Sequence, residues 1–304
     1  MSCLSGRTAV RMMHPFEFDA IGTSWQIESS EPLCARTREE IVRRVDAFDS
    51  IFSRFRKDSL VSNIAAAERG GTFVFPDEAG PLFALYDRLH ALTDGAVDPL
   101  VGRDLELLGY DADYSLRPKC EAIAAYSRER RAWPLDVRRQ GATITTKRSV
   151  VLDVGAAGKG LLADIVASTL MKNRFGEFVV DAGGDLVHRG ASPLEVGLED
   201  PVDAGLVVGT ALLRNQSLCA SSVNRRAWAH AHHVIDGRTG VPTREVIATW
   251  AVANDAMTAD GLATALFFVP AAALGAGFDF TSVRVFADGR GEVDPRFAGE
   301  VFVA

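Results

Sequence analysis

Cysteine is scarce: there are four (Cys3, Cys34, Cys120 and Cys219) in 304 residues. They lie far apart and show neither CxxC nor zinc-ligand spacing, which argues against a disulfide scaffold or a structural zinc site. They read as reduced thiols of a cytosolic chain, although four could in principle pair. Excess positive charge is also missing. Lys plus Arg number 33 against 40 Asp plus Glu, a net charge of −7. Such a chain is a poor nucleic-acid binder, because phosphate attraction needs a basic surface. Long apolar runs are absent as well. Met1–Phe18 has no stretch that reads as a signal peptide, so the expected location is the cytoplasm. Gly261–Phe278 carries no charge, but Pro270, Gly275 and Gly277 interrupt it. A spanning helix needs about 20 predominantly apolar residues, so two buried pieces are expected instead.

What remains is an ordinary globular composition, 47% hydrophobic and 24% charged. It rules out disorder and allows a sizeable core. Phe16–Ile27 reads as an opening strand. Thr37 and Glu40 suggest a capping box ahead of a helix with Ile41, Val45, Phe48 and Phe52 at helical spacing. Leu82, Leu85, Leu89 and Leu92 mark a second helix. The run Arg128–Arg131 reads as a solvated helix face. Ile144 and Val150–Leu152 suggest a strand pair, followed by a helix with Leu162, Ile165, Val166 and Leu170. Further strands are expected at Phe178–Val180, Leu194–Leu198, Leu206–Leu213 and Val246–Ala253, and an apolar helix at Asp260–Val269. Val283 and Val285 alternate before an Asp288–Gly289 turn. The predicted class is α+β, with mixed, largely antiparallel sheets and flanking helices, as one compact unit over 16–304 after a tail at 1–15.

Several segments could carry chemistry. Asp153–Gly160 follows a strand and opens a helix. Its small residues permit close backbone approach, and a helix N-terminus favours an anion. Lys159 adds positive charge. The segment fails the P-loop pattern twice: Asp153 falls on the first glycine, and Gly160 replaces the metal-binding Ser or Thr. The bland alternative is a tight turn with a surface lysine. Asp260 and Thr264 lie four apart, on one helix face, and could offer oxygens to a hard cation. The alternative is that Asp260 is a helix cap. His233 precedes an Asp236–Gly240 turn and could serve as a general base. His230, His232 and His233 could suggest a metal cluster, but without nearby acidic partners they read as a solvated loop. Gly95–Pro99, Phe52–Ser59 and Asp181–Asp185, each taken alone, read as ordinary turns.

The order of these segments is more telling than any one of them. FDAIGT, FSRFRKDS, GAVDP, LDVGAAGKG, DAGGD, HVIDGRTG and DGLAT follow one another from about Phe16 to Val269. This series resembles the ApbE-type flavin transferases, which move FMN from FAD onto a Ser or Thr of a target protein. The resemblance implies that FAD is the substrate, that Mg²⁺ is required, and that the partner is an acceptor protein. It implies FAD contacts for Asp153 and Lys159, and for Ala96, Val97 and Asp98 of the GAVDP turn. It implies an ion site made of the Ala156 carbonyl, Asp260 and Thr264. It places His233 beside the reacting centre as candidate base, with Val234 next to the dinucleotide. Ile21 stands where the family often has Met and Phe55 where it often has Tyr or Trp; the resemblance implies FAD contacts for both, and both keep an apolar surface for ring packing.

Ala220 and Ser222 stand in Cys-Ala-Ser-Ser, where the family usually reads Ala-Thr-Ser-Gly. Gly237 replaces the usual Pro, and Met257 stands where some relatives place an acidic ligand. Two other functions fit the same residues. One is a pyrophosphatase splitting FAD into FMN and AMP with water as nucleophile. The other is a non-catalytic flavin-binding protein.

Overall fold

A computed structural model describes residues 13–302 except 225, 229 and 230. Cys3, His230 and most of the expected tail lie outside the described residues. The chain opens with β1 (His14–Ala20) and β2 (Thr23–Ser29), then α1 (Ala35–Phe52), α2 (Leu60–Ala66), β3 (Gly71–Val74) and α3 (Ala79–Leu92). A short 3₁₀ turn at Pro99–Val101 leads into α4 (Gly102–Leu107), α5 (Cys120–Tyr126), α6 (Trp133–Asp136), β4 (Val137–Gln140) and β5 (Thr143–Thr146). The long helix α7 (Gly158–Lys172) precedes β6 (Phe178–Asp181), β7 (Asp185–Arg189), β8 (Leu194–Glu199), β9 (Val207–Leu213) and β10 (Ser217–Ser222). Four two-residue strands follow as β11 (Ala227–Trp228), β12 (Ala231–His232), β13 (Ile235–Asp236) and β14 (Val241–Pro242). The chain closes with β15 (Val246–Ala253), α8 (Ala256–Ala265), α9 (Ala271–Gly275), β16 (Thr281–Phe286), β17 (Gly291–Val293) and β18 (Gly299–Val301).

The main sheet has eight strands in the order β1-β2-β6-β7-β10-β15-β16-β17. Every described strand pair is antiparallel, including those of the smaller sheets β18-β9-β8 and β3-β5-β4. The α+β class is therefore the observed one. Side chains on a strand alternate between faces. Val187, Cys219, Ala251 and Ala253 point into the core shared with the helices. Their neighbours Leu186, Leu218, Trp250 and Val252 point into a second core with β8, β9 and β18. The central strands are thus covered on both faces.

Helix α7 packs between α1 and α8, and α8 lies on β10 and β15. Helix α1 offers the expected stripe of Ile41, Val45, Phe48 and Phe52. Helix α8 has no polar face of the usual kind, since its buried positions include Ala259, Asp260, Gly261, Leu262 and Ala263. Small residues let it approach its neighbours closely. A Cβ on Gly261 would lie 2.8 Å from the Leu89 side chain.

Five expectations change. Phe16–Ile27 is a hairpin rather than one strand, with Ile21 (φ 45°) and Gly22 (φ 77°) as its two-residue turn. The capping box does not form: α1 begins at Ala35, and Thr37 sits buried inside its first turn. Val150–Leu152 is buried but pairs with no strand, while β5 pairs with β3 and β4 instead. Arg128–Arg131 follows the end of α5, and Arg130 forms an ion pair with buried Asp104. Helix α8 starts at Ala256, one turn before the expected Asp260. Among the described residues no helix is long and apolar enough to cross a membrane. Cys34, Cys120 and Cys219 are free thiols.

Candidate active site

The turn before α7 is pinned to the GAVDP segment: Asp153 N–H donates to the Pro99 carbonyl at 2.8 Å. It then wraps on itself, with Ala157 and Gly158 N–H both donating to Val154. Lys159 follows in the first turn of α7. The glycine after it has a structural reason. A Cβ on Gly160 would lie 2.2 Å from the Ala256 carbonyl and 2.8 Å from Asp260 Cβ. A P-loop Ser or Thr cannot fit there, and the Gly160 N–H donates instead to Asp260 Oδ2 at 2.9 Å.

The helix cap at α8 is Asp255, whose side chain accepts from Thr258 N–H at 2.7 Å. That leaves Asp260 free for another role, inside the helix and 5% exposed. Thr264, one turn on, donates its hydroxyl to the Ala156 carbonyl at 3.4 Å. The three expected ion-binding oxygens are therefore brought together. Sequence reading treated the DAGGD segment as a plain turn, yet Asp185 belongs to this cluster. It follows Gly183 and Gly184, both at positive φ (68° and 104°). Asp185 is fully buried, ion-pairs with Lys159, and has both carboxylate oxygens outside hydrogen-bond geometry. Burial would lower the Lys159 ammonium, but Asp185 and Asp260 outweigh it and hold it above its ordinary value. Burial and then the Asp185 charge push Asp260 well above the usual carboxylate range.

This donor set suits a hard divalent cation, which takes oxygen ligands and would relieve two crowded carboxylates. Among the described residues no group of three or more His, Cys, Asp or Glu forms a metal cluster. The set here relies on a carbonyl and a hydroxyl as well. Met257 adds no oxygen; its N–H is held by Asp164 at 2.8 Å.

Asp153 faces a partner that sequence reading missed. Arg54 Nε donates to Asp153 Oδ2 at 2.5 Å, and Arg54 Nη1 to the Tyr110 carbonyl at 2.7 Å. Burial would raise Asp153, but the Arg54 charge and hydrogen bond hold it below the usual range. Phe55 stacks on Tyr114 (centroids 5.1 Å apart), and Tyr110 on Trp228 (5.4 Å). Ile21, Phe55, Tyr110, Tyr114 and Trp228 border a cavity of about 600 Å³.

A second cavity of about 290 Å³ is lined by Val97, Asp98, Ala156, His233, Val234, Asp260 and Thr264. Asp153, Gly155, Lys159 and Arg226 line both cavities, which form one cleft. Ala96 is fully buried behind it, its carbonyl accepting from Gly237 N–H at 2.9 Å. Asp98 uses its carboxylate to accept from Leu100 N–H (2.7 Å) and Trp133 N–H (2.9 Å). The two turns meet so closely that a Cβ on Gly237 would lie 2.6 Å from the Gly95 carbonyl.

His233 is brought into this cleft with a buried Nδ1 that has no hydrogen-bond partner. Burial and then the Arg226 charge lower it to about 4, so the ring is neutral near pH 7 and can accept a proton. His232 does not join it. Its Nε2 is 2.6 Å from the Thr243 carbonyl. Ala220 and Ser222 also line the cleft, with Ala220 N–H on the Gly184 carbonyl at 3.1 Å.

A profile of the ApbE family matches residues 21–278. The chain is 28% identical to a FAD:protein FMN transferase of Haemophilus influenzae over 76% of this chain and 72% of that one. It is 26% identical to a FAD:protein FMN transferase of Klebsiella pneumoniae over 81% and 75%. The ApbE protein of Thermotoga maritima superposes with a TM-score of 0.82 at 25% identity, covering 93% of this chain and 97% of that one. The flavin transferase ApbE of Vibrio cholerae superposes with a TM-score of 0.79 at 22% identity over 95% and 97%, a likeness of fold. The chain belongs to the ApbE family.

Proposed function

We propose that this chain is a FAD:protein FMN transferase, moving FMN from FAD onto a Ser or Thr hydroxyl of an acceptor protein and releasing AMP. One observation carries the reading. Lys159 and Asp260, far apart in sequence, share one cleft and are linked through the Gly160 N–H. A lysine, a helix N-terminus and an oxygen-rich cation site in one place suit a diphosphate.

The acceptor hydroxyl oxygen bonds to the FMN-side phosphorus as the bond between phosphorus and the AMP oxygen breaks. The hydroxyl is a weak nucleophile, and His233 takes its proton. Asp260, Thr264 and the Ala156 carbonyl would hold Mg²⁺, which supplies charge neutralisation at the diphosphate when bound. Lys159 adds a fixed positive charge beside it. Asp153, the Val97–Asp98 turn and Val234 line the path that the dinucleotide would take. Ile21 and Phe55 give the larger cavity an apolar side for a ring.

The test is incubation with FAD and Mg²⁺, with and without a Ser/Thr acceptor peptide. Peptide-bound FMN and free AMP are the expected products. FMN and AMP without peptide modification would assign the site to FAD hydrolysis. Intact bound FAD with no product would assign it to flavin binding alone.

A further inference from the structure

The cleft holds a cation that no motif singled out. Arg226 lies in the turn after β10, exposed, and lines both cavities beside Asp153, Gly155 and Lys159. Among the described residues the other two cations lining the cleft are each held by a carboxylate, Lys159 by Asp185 and Arg54 by Asp153. Among the described residues Arg226 has no such carboxylate partner. Its charge nevertheless reaches the centre, acting behind burial on His233 and also on Asp153.

Splitting a diphosphate sends the electron pair of the broken P–O bond onto the departing phosphate. A donor placed where that charge gathers lowers the barrier. A guanidinium offers parallel N–H groups that match two phosphate oxygens, whereas an ammonium acts as a point charge. Lys159 and Arg54 already spend much of their field on the carboxylates of Asp185 and Asp153. We propose that Arg226 contacts the FAD diphosphate and holds the charge that develops on the leaving AMP. This rests on the transferase reading above. No proton moves to or from Arg226; it donates hydrogen bonds only.

The test compares the wild-type protein with Arg226→Ala and Arg226→Lys. FAD and riboflavin binding are read by flavin fluorescence, and transfer by kcat and KM separately. Riboflavin has no phosphate. Arg226→Ala is expected to lower kcat about 10²- to 10³-fold, to weaken FAD about tenfold, and to leave riboflavin binding unchanged. Arg226→Lys should recover FAD affinity but little of kcat. Wild-type FAD affinity and turnover in Arg226→Ala would overturn the assignment of Arg226 alone. Equal loss of FAD and riboflavin would also overturn it, making the residue part of the cleft wall. Failure of the wild-type protein to bind FAD would overturn both this assignment and the transferase reading.

Discussion

Gly160 gives its main-chain N–H to the Asp260 carboxylate at 2.9 Å, joining α7 to α8 across 100 residues of chain. The same contact leaves no room for a side chain, since the added Cβ would sit 2.2 Å from the Ala256 carbonyl. Gly160→Ser would make the sequence more like a P-loop, yet it is expected to destabilise the fold by about 1–3 kcal/mol through overpacking. Denaturant unfolding measures this. A variant as stable as the wild type would show that the two helices can separate at little cost.

His233→Ala is expected to keep FAD binding and to lose transfer by about 10²- to 10⁴-fold, the usual worth of a positioned base. The pH dependence carries its own sign. Burial and Arg226 lower His233 to about 4 from the ordinary 6.5. As the proposed base, His233 would stay neutral down to roughly pH 4, which puts the acid limb of kcat/KM well below 6.5. The unfolded chain binds this proton more readily, so the His233 contribution to stability is complete above 6.5 and is lost as pH falls toward 4. An acid limb near 6.5 would contradict the assignment.

Asp164 on α7 accepts from Ala256 N–H at 3.0 Å and Met257 N–H at 2.8 Å, the first two donors of α8. Burial raises its pKa to about 6 from 3.8. The folded state binds this proton more tightly, so its contribution to stability is full below 3.8 and is lost as pH rises through 6. The stability of the wild type minus that of Asp164→Asn should fall by about 2 kcal/mol between pH 4 and 7. A flat or rising difference would be contrary evidence.

Gly237→Pro puts the residue usual in relatives into this chain. It removes the N–H that donates to Ala96 at 2.9 Å and drives carbon into the Gly95 carbonyl. The loss of a hydrogen bond together with the clash should cost about 2 kcal/mol or more, read as a lower Tm. An unchanged Tm would mean that the GAVDP and HVID turns are held together by something else.

The helices α1 and α3 were legible because one face of each is apolar at helical spacing. Helix α8 was legible as apolar, but its start was not. The sequence reading offers Asp260 as the cap; Asp255 caps the helix instead, and Asp260 lies inside it, accepting from Gly160 N–H of α7. Strands β7 and β10 escaped notice because their ends are polar and their burial comes from neighbours on both faces. The same holds for the site. Lys159, Asp260, Thr264 and Ala156 belong to motifs, and they converge. Asp185 and Arg54 lie in the DAGGD and FSRFRKDS segments, which read alone as ordinary turns, and Arg226 lies in none; their places in the cleft come from tertiary contacts with Lys159 and Asp153 and from the turn after β10.

The meeting of the lysine turn with the Asp260–Thr264 helix around one diphosphate is tested most directly by the intact mass of an acceptor protein co-expressed with this chain. The account predicts one added FMN on a Ser or Thr with the wild type. It predicts no addition with a folded Asp260→Ala variant unless Mg²⁺ is raised far above the wild-type requirement. An unmodified acceptor beside the wild type, or equal modification by both proteins at the same Mg²⁺, would contradict it.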